Sequence, residues 1–317
     1  MRPHLAAAVW LPRGHRVVAA QYCWQSLQKY ALTEGERIVL VWLSPLAQQG
    51  VFALVSNLGS LVARLILQPF EEAAFADFSR VAATGLLPLH VLGRLHALLR
   101  SATIFGVIFV SFGPAYSWLL LRLLYGTRWT EGTDGTDAPT LLAIYCIHVC
   151  TMSVNGIAEA FLNATAAKAQ LDAFARAMVI FAGLYGPAAA LSLHYGGAGA
   201  LVLANCANMV VRILYAYAYI RSTTAASIAA HAGGVDAAGA GWIEQHQLRL
   251  TPRPAVLAAL AASFLCTGCS QLCLGTPDAR PLLQLVHVIV GGVCLMGVIV
   301  TVLKTEPELV AALRVRA

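Results

Sequence analysis

Between Asn57 and Glu72 an apolar run carries six polar side chains: Asn57, Ser60, Arg64, Gln68, Glu71 and Glu72. At about 100° per residue they fall within roughly one third of a helix circumference and form one polar stripe. Two later runs repeat the pattern. His148, Met152, Asn155, Glu159 and Asn163 follow at i, i+4, i+7, i+11 and i+15, and Asn205, Asn208 and Arg212 share a face of their own. Inside a membrane such groups are costly against lipid, so they must face a helix partner or a watery cavity. The guanidinium groups of Arg64 and Arg212 suit bidentate contact with phosphate or pyrophosphate. Glu159 fits either their counter-ion or a proton site, and the sequence alone does not pair them. The asparagines equally suit hydrogen bonding between helices, and His148 reads as a structural, hydrogen-bonded histidine.

The elements that position these groups are membrane spans. The chain has 317 residues, 59% hydrophobic and 11% charged, with a mean hydropathy of +0.71, far too apolar for an ordinary soluble domain. The expected fold class is all-α and polytopic, with about eight transmembrane helices. Their spans are roughly 22 to 44, 48 to 70, 97 to 121, 139 to 162, 176 to 194, 198 to 220, 254 to 274 and 282 to 303. Pro69 withdraws one backbone donor and frees the carbonyl of Leu65, predicting a kink beside the first polar stripe. Residues 1–20 read as a basic cytosolic flank, 21–221 as a six-helix body, 222–250 as a flexible Ala/Gly-rich linker, 251–304 as a terminal helix pair and 305–317 as a cytosolic tail.

With the amino end in the cytosol, basic residues gather on that side, Arg80, Arg94, Arg100, Lys168, Arg176, Arg221, Arg253 and Lys304 among them. The opposite side keeps only Arg122, Arg128 and Arg280. Both chain ends are then cytosolic, and the Asn163 sequon stays unmodified. The net charge of +6 suits cytosolic loops and anionic lipid headgroups. It does not suggest nucleic acid, because no basic cluster with interleaved aromatics occurs. The eight cysteines read as reduced packing residues, and Cys266, Cys269 and Cys273 lack the neighbours of a redox or metal site. Asp134 to Asp137 reads as a polar turn without EF-hand spacing. No cofactor or metal is implied, and no hydrolase, metalloprotease or P-loop motif is present. Glu34, Glu36 and Arg37 suit either a solvated helix edge or a gate at the cytosolic mouth.

Five runs stand out: Leu32 to Arg37; Asn57 to Arg64 with Gln68-Pro69 and Glu71-Glu72; Phe112-Gly113 through Tyr125-Gly126; Asn155-Gly156 with Glu159; and Ala204-Asn205-Cys206 with Asn208-Met209 and Arg212. These runs resemble the Rft family of endoplasmic-reticulum proteins. Together they extend over about residues 21 to 221. The resemblance implies the flippase-type fold, two six-helix lobes facing a central cavity, sometimes with an extra helix pair. It also implies translocation of a dolichol-pyrophosphate-linked oligosaccharide during N-glycosylation. On that comparison the chain corresponds to the second lobe, and a truncated sequence is expected, with a missing amino-terminal lobe as partner. Arg64, Gln68, Glu71, Glu72, Asn155, Glu159, Asn205, Asn208 and Arg212 would line the inter-lobe cavity, with lipid-linked oligosaccharide and membrane lipids as partners. Rival readings are a non-transporting scaffold for lipid-linked oligosaccharide assembly and a cation-coupled exporter in which Glu159 titrates. An enzyme is not expected.

Overall fold

The computed structural model describes residues 39–82, 87–130, 137–232, 251–275 and 280–306. Glu34, Glu36 and Arg37 lie outside them. No strand occurs among the described residues. The elements are α1 (Leu46–Val62), a π-helical turn (Ala63–Leu67), α2 (Gln68–Ala82), α3 (Leu89–Tyr125), α4 (Ala138–Thr165), α5 (Lys168–Ala232), α6 (Pro254–Leu274) and α7 (Pro281–Thr305). Six stretches among the described residues are long and apolar enough to cross a membrane, with α1 and α2 counting as one. The protein is an all-α polytopic membrane protein.

The longest stretch contains two of the expected spans. A straight helix of 65 residues would reach about 97 Å at 1.5 Å per residue, some three times a bilayer's hydrocarbon core of about 30 Å. Gly197 breaks it, with φ at 65°, a conformation open to glycine without a Cβ penalty. Phe174 before the break packs against Tyr215 beyond it, the rings tilted by 39° with centres 5.4 Å apart, so the two arms fold back on one another. The chain then stays helical to Ala232, ten residues past the expected start of the linker at Ser222. The run after Ser222 is dominated by alanine, the strongest helix former, and the glycines begin only at Gly233.

α4 is the central helix, with 56% of its apolar window buried, more than any other span. α1 and α2 run along it in the same direction: Gly59 lies under the Tyr145 ring, Glu71 over Gly156, and Phe78 meets Phe161 edge-on at 5.1 Å. α3 runs the opposite way, Gly113 against Cys146 and Gly106 against Cys150 and Ser153. Lipid is as apolar as a leucine side chain, so burial alone does not join helices in a bilayer, and close backbone approach at small residues supplies the dispersion contact instead. Ser153 Oγ adds a bond to the Ala102 carbonyl at 2.9 Å. The carboxy-terminal arm of α5 completes the surround, with Thr165 and Tyr219 hydroxyls 3.1 Å apart.

The terminal pair docks on the far side of α3. His287 stacks on Tyr116 at 4.3 Å, and its ring nitrogens reach Ser270 Oγ at 2.8 Å and the Ala115 carbonyl at 3.1 Å. The Tyr116 hydroxyl donates to the His287 carbonyl at 2.9 Å. At the other end of the pair, Glu306 is fully buried. It accepts from Arg100 Nη1 at 2.5 Å and from the Arg253 backbone N–H at 3.0 Å. Glu306, expected in the cytosolic tail, is therefore an anchor. Asp137, expected in a polar turn, is the N-cap of α4 and accepts from the Thr140 N–H at 3.3 Å.

Candidate functional site: a polar seam on three membrane helices

The interruption expected at Pro69 takes the form of the π-helical turn just before it, where the Gln68 N–H bonds the Ala63 carbonyl five residues back. Adding a residue to one turn changes the helical phase downstream. The stripe is divided as a result. Asn57, Arg64, Gln68 and Glu72 are exposed, whereas Glu71 turns toward α4 and its carboxyl occupies the space a Cβ on Gly156 would fill. Only glycine at 156 admits it.

On the exposed side, Arg64 folds back one turn toward the start of α1. Its Nε donates to the Ser60 carbonyl at 3.2 Å and its Nη2 to Ser60 Oγ at 3.0 Å. Among the described residues no acid pairs with it. Gln68 Nε2 donates to Glu72 Oε1 at 2.8 Å, an i, i+4 pair along the same face.

Behind this face, Arg212 donates its Nε and Nη2 to the two carboxylate oxygens of Glu159 at 2.7 and 2.8 Å, a bidentate fork between α5 and α4. Two neighbouring pairs mark the same seam: Thr151 with Met209 Sδ at 3.7 Å and Cys206 Sγ with His148 Nδ1 at 3.9 Å. Asn155 is buried, at 7% exposure, with its Oδ1 lacking a hydrogen-bond partner among the described residues. Asn205 and Asn208 are half-buried on α5. The three sequence patterns therefore converge: Glu71 reaches the Asn155–Gly156 step, Glu159 lies one turn further along α4, and Arg212 closes on it. Arg64, Gln68 and Glu72 stay outside this group.

A family model described as Rft protein matches residues 12–316. The chain belongs to the Rft family. A relative from Xenopus tropicalis, named Man(5)GlcNAc(2)-PP-dolichol translocation protein RFT1, is 34% identical over 306 residues, covering 92% of this chain and 52% of its own length. Its Mus musculus namesake is 31% identical over 300 residues with the same coverage. The one from Saccharomyces cerevisiae is 32% identical over 197 residues, 59% of this chain and 33% of the relative. The chain thus spans about half the length of the curated relatives it matches. No solved structure matches it.

Three of the runs that carry the Rft resemblance come together around α4. Asn57 to Glu72, Asn155 to Glu159 and Asn205 to Arg212 meet along one face of α4. Three polar groups escaped sequence reasoning: Arg100, Glu306 and His287. His287 had a signal, a histidine inside a strongly apolar run, whereas Glu306 could be recognised only through its distant partner.

Proposed function

We propose that the chain is one lobe of a translocator for a polyprenyl-pyrophosphate-linked oligosaccharide, the activity in its relatives' names, acting in the endoplasmic reticulum membrane. The observation that carries this reading is Arg64: a charged guanidinium exposed on a membrane helix, bonded among the described residues only to Ser60, on a face that also presents Asn57, Gln68 and Glu72. A cation left in that position is stable only against water, an anionic ligand or a polar partner surface. A second lobe facing this stripe would enclose a cavity in which the guanidinium offsets pyrophosphate charge, lowering the desolvation barrier to headgroup passage. No covalent step is involved, in keeping with relatives named for translocation.

The Glu159–Arg212 fork assigns those two residues a different part. Each neutralises the other, so they brace α4 against α5, and Arg212 has already committed its planar donor edge. That closed geometry also weighs against an exporter driven by titration of Glu159. Glu71, Asn155, Asn205 and Asn208 lie beside this brace and shape the wall behind the stripe. The cytosolic face is the end where α2 finishes and α3 begins, because Arg80, Arg94, Arg100, Lys168 and Lys304 collect there.

The test is headgroup translocation by the complete protein reconstituted in vesicles. Arg64→Ala is expected to slow it about tenfold or more, since a hydrogen bond to a charged group contributes roughly 1.5–3 kcal/mol. Undiminished translocation in a folded Arg64→Ala protein overturns the reading and leaves the scaffold alternative.

A further inference from the structure

Glu71 lies within the Leu46–Val81 membrane stretch, its carboxyl seated over Gly156 of α4. Among the described residues no hydrogen-bond donor and no cation meets it. The charges that act on it are Glu159 from α4 and Glu72 from its own helix, both of its own sign. Arg212 of α5 is committed to Glu159, and Arg64 folds toward Ser60 on the exposed side of the π-helical turn. A carboxylate can only accept hydrogen bonds, and an unpaired one inside a membrane is costly.

The surroundings narrow what can relieve that cost. Glu71 lines a cavity of about 190 Å³ with Phe70, Phe105, Ile157, Ser101 and Ser153 among others, and α3 presents no titratable side chain to it. Each serine has spent its single hydroxyl proton on a carbonyl. Ser101 donates to Leu98 at 2.8 Å, and Ser153 is shared between Ala102 at 2.9 Å and Cys150 at 2.8 Å. What they turn to the cavity is lone pairs. Asn155, 7% exposed and next to Gly156, also keeps its Oδ1 without a donor among the described residues. The place is short of donors and rich in acceptors. A hard metal cation takes about six oxygens or more, beyond what these largely apolar walls supply. A proton needs only the carboxylate, which it turns into the missing donor.

We propose that Glu71 is a proton-binding site, a neutral carboxylic acid while α2 is seated on α4 and a carboxylate once α2 leaves Gly156. The carboxylate takes one proton from the aqueous phase, one negative charge disappears beside Glu159, and no other bond is made or broken. The inference goes beyond the translocator reading and does not depend on it. Any motion that separates α2 from α4 is thereby linked to release of one proton. Because the seated form binds the proton, seating weakens as pH rises above the ordinary glutamate range near about 4.3.

The test is infrared difference spectroscopy on the full chain in phosphatidylcholine nanodiscs, titrated from about pH 5 to about pH 9. A carbonyl band of a protonated carboxyl is expected at neutral pH, shifted in deuterium oxide and fading as pH rises. It should be absent from Glu71→Gln and retained in Glu306→Gln. In mixed micelles the unfolding constant of the unmodified chain should rise by up to about tenfold per pH unit relative to Glu71→Gln, the slope of one linked proton. Glutamine keeps the shape and supplies a donor, so that variant should hold its midpoint. Should it fail to fold, dicyclohexylcarbodiimide, an apolar reagent for protonated carboxyls, maps the site on the unmodified chain by mass spectrometry. Glu71 is then expected to be modified, less at higher pH, and Glu159 in its ion pair to be spared. No protonated band at neutral pH, a band that Glu71→Gln leaves in place, or modification of Glu159 in preference to Glu71 overturns the proposal. A midpoint that shifts when choline replaces sodium at constant ionic strength, in the unmodified chain but not in Glu71→Gln, overturns it too and makes the ligand sodium.

Discussion

Breaking the Glu159–Arg212 fork should cost more than either residue's removal suggests from surface rules, and the cost should be shared. The two bonds are charge-assisted, at 2.7 and 2.8 Å, and the side chains retain only 16% and 28% exposure. Removing one partner of a fully buried pair costs about 3–5 kcal/mol because the other charge is stranded. Partial exposure reduces this, and we expect about 2–3 kcal/mol for Arg212→Gln or Glu159→Gln singly. The double variant strands no charge, so its loss should be close to one single variant's, giving a coupling of about 2 kcal/mol. The measurement is a double-mutant cycle on unfolding in mixed micelles at increasing dodecyl sulfate, followed by proteolysis of the opened state. A charge swap, Glu159→Arg with Arg212→Glu, should recover part of the loss. Additivity of the single losses within about 0.5 kcal/mol would refute the argument.

Arg100→Ala strands the fully buried Glu306 carboxylate, so the terminal pair should loosen. Disulfide trapping between Ile104→Cys and Leu260→Cys, neighbours in the α3–α6–α7 core, should slow markedly in that background, and Glu306→Gln should loosen it less. Gly156→Val must displace the Glu71 carboxyl and is expected to destabilise by about 1–3 kcal/mol, the usual range for overpacking, read as a lower unfolding midpoint in the same micelles. Gly113→Leu should push α3 off α4 at Cys146 with a similar or larger loss, whereas Gly183→Leu, with open space around its Cβ position, should change the midpoint by less than about 0.5 kcal/mol.

Much of this arrangement was legible in the chain. Hydropathy located α4, α6 and α7 within a few residues, and the division between the spans expected at 176 to 194 and 198 to 220 falls at the reversal in α5. Of the residues the polar periodicities singled out, Glu71, Asn155, Glu159 and Arg212 meet along one seam, whereas Arg64, Gln68 and Glu72 stay on the exposed face. Pairing was not legible, because which arginine meets which acid depends on the relative height and rotation of separate helices. Arg64 and Arg212 both sit among apolar neighbours in sequence, yet Arg212 is closed by Glu159 and Arg64 meets no acid among the described residues. The division of the stripe was hidden for a related reason: a uniform 100° wheel has no means of showing a turn that holds an extra residue. Glu306 lay beyond the last apolar run, where only its partner Arg100, 206 positions earlier, gives it meaning.

The surplus residue at Ala63–Leu67 makes the helix a phase shifter. Everything upstream keeps one angular setting and everything downstream another, so the Arg64 face and the Glu71 face can be tuned separately by the same continuous rod. Deleting one residue there would restore an ordinary α-turn, rotating α2 by about 100° and drawing it back about 1.5 Å. Glu71 would then leave Gly156, and Phe78 would leave Phe161, though no side chain had been changed. Tolerance of insertions and deletions along this helix should accordingly be lowest at these five positions, and a compensating single insertion nearby should restore the fit.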